Sequence, residues 1–163
     1  VISPFKDRVF RLAKRLLVST EEAEDATQEV LVRLWNNKGK LGQYSSVEAL
    51  AITITKNYCL DQLKSKRATE MRLVHSNYTD REAGLQQQAE DRDSWQWVEK
   101  IMQTLPEQQK IIMQMRDIEQ YEFEEIAKIM DMNETAVRVA LSRARKTIRE
   151  ELTKKHSYGI RAN

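Results

Sequence analysis

The chain has very little of what bends or ties a polypeptide: 4 glycines, 2 prolines and 1 cysteine among 163 residues. So few turn formers, with only short β-branched runs, exclude a fold of many short strands and point to an all-α protein. The single cysteine, Cys59, cannot close an internal disulfide, which fits a reducing cytoplasm. His75 and His156 do not stand at ligand spacing to Cys59, so no metal site is expected. No glycine-rich phosphate loop or nucleophile motif occurs, and neither catalysis nor a cofactor is expected. No apolar run reaches membrane-spanning length and no signal-peptide pattern opens the chain, so no membrane insertion is expected. Val1 is not an initiator methionine, so the natural start is expected upstream.

Charge is present in both signs but unevenly placed. The net charge is +2, yet residues 1–67 carry +4, 68–93 carry −3, 94–137 carry −5 and 138–163 carry +6. Two basic zones separated by acidic stretches suit two nucleic-acid contacts better than one diffuse basic surface. Residues 68–93 are polar with weak periodicity and read as a linker. The expected organisation is two small helical domains, 1–67 and 94–163, joined by that polar linker. Residues 70–93 are expected to shield the DNA-reading faces by charge, or to let the two modules pack together, so the whole chain is expected to bind duplex more weakly than fragment 94–163. From Ser157 onward a frayed tail is expected.

In the first domain, Val9, Phe10, Leu12, Ala13 and Leu16 make an inward stripe. Ser19 with Glu22 has capping-box spacing and opens a second helix, with Ala26, Val30 and Leu34 inward. Asp25, Gln28 and Glu29 cluster on its polar side, and composition alone reads them as ordinary surface. After the loop "NNKGKLGQYSS", Ser45 with Glu48 has the same capping spacing before a long helix. Tyr44 and Tyr58 interleave with Lys56, Lys64, Lys66 and Arg67 there, a mixture that suits unpaired bases at ~1–3 kcal/mol per stacked base. Tyr58 fits an ordinary core position equally well.

In the second domain, Trp95, Val98, Ile101, Met102 and Leu105 form a helical stripe. Pro106 suits a first helical position, and Ile111, Ile112 and Met115 pack behind the two helices after them. "YEFEEIAKIMDMNETAVRVALSRAR" reads as helix, turn and helix, and this helix-turn-helix is the best reading of the segment. Phe123, Ile126, Ala127 and Met130 share a face. The turn is Asp131-Met132-Asn133, with Asn133 as the N-cap of the last helix. On that helix Val137, Ala140, Leu141, Ala144 and Ile148 form a narrow apolar stripe. Thr135, Val139, Ser142 and Lys146 lie opposite, with Arg138, Arg145 and Arg149 on one flank and Arg143 on the other. Small residues ringed by long cations suit a major groove, where base edges are approached closely and phosphates gripped on both walls. A merely solvated basic face is the competing reading.

Four motifs in order complete the picture: "AEDATQEVLVRLW", "ITKNYCLDQLK", "LPEQQKIIMQM" and "FEEIAKIMDMNETAVRVALSRARKTIRE". Together they resemble the extracytoplasmic-function group of bacterial RNA polymerase sigma factors, over nearly the whole chain. The resemblance implies a transcription initiation factor without catalysis of its own. Asp25, Gln28 and Glu29 match the D-x-x-Q-E core of a helix that grips the polymerase clamp. The next loop and helix, with Tyr44, Lys56, Asn57, Asp61 and Lys64, would open the promoter at its −10 element. The helix-turn-helix would read the −35 element, and the last domain would dock on the polymerase flap. An anti-sigma factor is the further partner implied. Leu50 stands where the family usually has Trp, and Ala140 where it has Arg. The alternative is a stand-alone helix-turn-helix regulator whose first domain dimerises or senses.

Overall fold

The computed structural model describes residues 3–43, 46–74 and 94–161. Among these, every regular element is helical: α1 (Ser3–Leu17), α2 (Thr20–Asn36), a 3₁₀ turn at Lys38–Gln43, α3 (Val47–Val74), α4 (Ser94–Thr104), α5 (Glu107–Met113), α6 (Phe123–Met130) and α7 (Glu134–Arg161). A π-helical turn, Gln114–Ile118, follows α5. The fold is all-α, with two small helical domains and a helix-turn-helix in the second. No helix among the described residues is long and apolar enough to cross a membrane.

Side-chain caps set several helix starts. Ser19 takes the N–H of Glu22 at 3.3 Å to open α2, and Asn133 Oδ1 takes the N–H of Ala136 at 2.7 Å to open α7. The start of α3 differs from expectation. Ser46 holds the N–H of Ala49 at 3.0 Å and the helix begins at Val47, while Ser45, the expected cap, lies outside the described residues. Pro106 likewise precedes α5 as its N-cap rather than standing inside it. The backbone of α3 runs on to Val74, beyond the point where the linker was expected to begin. That of α7 runs to Arg161, past the fraying expected at Ser157. The rest of the expected linker, residues 75–93, lies outside the described residues.

Helices α1, α2 and α3 pack on one another, α4, α5 and α6 each pack on α7, and α1 lies against α5 while α3 lies against α6. The two groups share one contiguous apolar cluster. It runs from Val9 and Leu12 of α1 through Ile52 of α3 to Ile112, Ile126 and Leu141. Burial follows the expected stripes with one exception: Trp95, placed inward by periodicity, is 60% exposed.

Candidate nucleic-acid interface

Helix α7 is docked by Val137, Ala140, Leu141 and Ala144, all buried. The turn before it works because Asp131 takes φ 53°, a left-handed backbone that Asp tolerates. Thr135, Arg138, Val139, Ser142, Arg143, Arg145, Lys146 and Arg149 are all exposed. The basic face is therefore open to solvent along its length, and no described segment shields it.

Its arginines are not equivalent. The Arg138 guanidinium lies 4.0 Å from the centre of the Phe123 ring, and Arg116 lies 4.3 Å from the same ring. Arg145 forms a two-pronged pair with Asp117, at 2.5 and 3.1 Å, and this partner raises its pKa. Arg138, Arg145 and Arg149 rim a groove of about 760 Å³ walled by Trp95, Ile118 and Phe123. Arg143 has no ion-pair partner among the described residues and stands alone on the opposite flank. Arg138 and Arg145 are thus held by their own domain, while Arg143 is unengaged.

On α3 the expected set divides. At about 100° per residue, Asn57, Asp61 and Lys64 share one narrow sector, and all three are exposed. Lys56 turns away from them: its Nζ donates to the carbonyl of Ile129 on α6 at 2.8 Å, and burial lowers its pKa. Tyr58 leaves on another side, partly buried on the core, with Arg33 5.0 Å from its ring centre. Burial raises its pKa. Tyr44 lies outside the described residues.

On α2, Asp25 and Gln28 are exposed and Glu29 is half-buried, paired with Arg33 at 3.0 Å. The same face carries two apolar residues that sequence reading passed over. Val32 is 55% exposed and Trp35 69%. Their helical angle, opposite Val30 and Ala26, was the signal available. An exposed tryptophan beside acidic and amide groups suits a docking face.

A helix-turn-helix with an open basic face, joined to a domain with a separate acidic and apolar face, now has a counterpart among known proteins. The family model described as Sigma-70 region 2 matches residues 1–69, and that described as Sigma-70, region 4 matches residues 95–148. The chain belongs to the sigma-70 family. It is 28% identical over 155 residues to the ECF RNA polymerase sigma factor SigE of Mycolicibacterium smegmatis, covering 93% of this chain and 60% of that one. Similarity to the probable RNA polymerase sigma factor RfaY of Xanthomonas campestris is 26% over 157 residues, covering 93% and 39%. To the ECF RNA polymerase sigma factor SigW of Bacillus subtilis it is 19% over 162 residues, covering 93% and 87%. The chain thus spans 39% and 60% of the length of the first two. The sigma factor RpoE of Bartonella quintana, solved in complex with the anti-sigma factor NepR, shares the fold. Its TM-score is 0.72 at 20% identity, over 91% of this chain and 92% of that one. In these terms α1 to most of α3 are region 2, and α4 to the middle of α7 are region 4.

Proposed function

We propose that this sigma-70 family member is a transcription initiation factor of the extracytoplasmic-function type. It binds core RNA polymerase and directs it to particular promoters, with no catalysis or cofactor of its own, in the cytoplasm where polymerase works. Residues 1–67 bind polymerase and melt the −10 element, 68–93 connect, and 94–163 read the −35 element and meet the flap. Promoter DNA and an anti-sigma factor are its further partners. The observation that carries the reading is the α2 face, where Asp25, Gln28 and Glu29 accompany exposed Val32 and Trp35. A stand-alone regulator has no use for a clamp-binding face, whereas the basic face of α7 serves either protein.

The test is reconstitution with core RNA polymerase, followed by run-off transcription on promoter fragments from the native host. The protein is expected to co-purify with core and to start transcripts at few sites. Gln28→Ala with Glu29→Ala is expected to weaken core binding while sparing duplex binding, since Ala keeps the helix. Trp35→Ala should weaken it further, by ~2 kcal/mol if the ring is a central anchor. Duplex binding with no affinity for core would favour the regulator instead.

A further inference from the structure

The flank of α7 that carries Arg138, Arg145 and Arg149 is close to straight. At about 100° per residue the three side chains leave the helix within roughly 40° of one another. A row of cations on one side of a helix suits the phosphates along one wall of a groove. Two of the three are held from outside α7, Arg145 by Asp117 and Arg138 by the Phe123 ring. Arg149 has no ion-pair or ring partner among the described residues and is exposed.

Asp117 is the odd member of this surface. A carboxylate beside a face that meets a polyanion weakens binding by repulsion. Nor is stability a good reason for it. The pair is open to solvent, with Arg145 50% and Asp117 33% exposed, and such pairs add little. Its geometry offers a better account. Asp117 stands in the π-helical turn Gln114–Ile118, whose Gln114 and Met115 are buried. From that anchored turn its two oxygens take Nε and Nη2 of Arg145 at 3.1 and 2.5 Å. A carboxylate on this edge fixes the plane of the guanidinium and leaves the Nη1 edge for another acceptor. The Phe123 ring acts on Arg138 in a similar way, 4.0 Å from ring centre to guanidinium carbon. A ring face holds a cation without using its N–H donors.

We propose that Asp117 is a positioning residue of the DNA interface, setting the Arg145 guanidinium so that its free edge meets a phosphate, as the Phe123 ring does for Arg138. The role rests on the duplex-binding reading of α7 given above. Because both supports lie outside α7, the row is aligned before DNA arrives. An unheld arginine gives up rotamer freedom on binding, whereas a held one has given it up already. Arg149 is the internal comparison, with the same flank and the same charge but no support.

The experiment is binding of the full chain to a mixed-sequence duplex over a range of salt concentrations. Phosphate contacts are independent of sequence, so no promoter is needed. Asp117→Asn removes a negative charge beside the DNA with almost no change of shape. A bystander carboxylate would give tighter binding. Positioning gives the opposite sign: affinity about fivefold lower, and a salt slope smaller by about one unit as a phosphate contact is lost. Asp117→Glu, which keeps the carboxylate, should recover part of that loss. In an Arg145→Ala chain, Asp117→Asn should cause no loss, because nothing is left to position. In an Arg149→Ala chain it should cost as much as in the parent. Phe123→Leu should likewise weaken binding in the parent and not in an Arg138→Ala chain. Tighter or unchanged binding by Asp117→Asn alone overturns the role. So does a loss that persists in the Arg145→Ala chain, which would mark Asp117 as structural. A parent chain without affinity for duplex at low salt removes the duplex-binding reading of α7, and this role with it.

Discussion

At the scale of single residues, the two flanks of α7 make different demands. Arg138 is stacked on Phe123 beside Arg116, whereas Arg143 is unengaged. A guanidinium reads guanine through two parallel hydrogen bonds, which requires freedom to align with the base edge. Arg143→Ala is therefore expected to cost ~1–3 kcal/mol at one base pair and to relax choice there. Arg138→Ala should weaken all sequences alike. Binding to a panel of −35 variants separates the two, and a uniform loss for Arg143→Ala would remove it as a reader. Cys59 makes a second case. Burial pushes its thiol from 9.0 up to about 12, so the folded chain keeps a proton that the unfolded chain releases. Its stabilising contribution is present below pH 9.0 and is lost as pH rises toward about 12. Denaturation between those limits should show a fall that Cys59→Ala reduces by up to about 1.4 kcal/mol per pH unit. Identical slopes in parent and variant would count against a buried, protonated thiol.

At the scale of elements, helix ends show how far local chemistry reaches. Ser19, Asn133 and Asp131 act within about one helical turn of their partners, and their roles were legible from residue type and spacing. The start of α3 was not, because Ser45 and Ser46 adjoin in the sequence and either offers a hydroxyl. The end of α1 carries a feature no pattern announced. Val18 has φ 70° with its N–H on the Lys14 carbonyl at 2.9 Å, a helix stop usually given to glycine. A β-branched residue is strained there, and Val18 is 57% exposed, so little packing opposes its removal. Val18→Gly is expected to raise stability by about 1 kcal/mol, read from the urea midpoint at unchanged slope. A lowered midpoint would mean that the side chain packs usefully where it is.

At the scale of the whole molecule, the shared cluster from Val9 to Leu141 couples two domains that are each near the lower size limit for a core. Heating should therefore give one cooperative transition by calorimetry, with calorimetric and van't Hoff enthalpies equal. At high salt, where the pairs of Arg11 with Glu119 and Arg67 with Glu107 are screened, the transition should broaden or split. Two separate transitions already at low salt would show that the cluster does not couple the domains. The residues expected to shield the duplex-reading face lie mostly in 75–93, outside the described residues, and the described ones leave the side chains of α7 exposed. Among the expected promoter contacts it is Lys56, on the other domain, that is bonded across the interface.

The sequence by itself determined what depends on neighbours within a helical turn or two. These are the all-helical class, the helix-turn-helix, the apolar stripe of α7 and the exposed ring of eight residues opposite it. Periodicity and capping act over that range, so residue type and spacing carry the information. Family motifs marked Asp25, Gln28 and Glu29, which composition alone left as surface. Only the tertiary structure decided how those groups are engaged. Arg11 meets Glu119 across 108 positions, Lys56 meets Ile129 across 73, and Arg15 meets Glu99 across 84. No local pattern encodes such pairings, because each depends on how two separately formed helices come to rest on a common core. The same holds for Arg138 on Phe123 and for Tyr58 beneath Arg33, where a neighbour from another helix decides how a cation or ring is engaged.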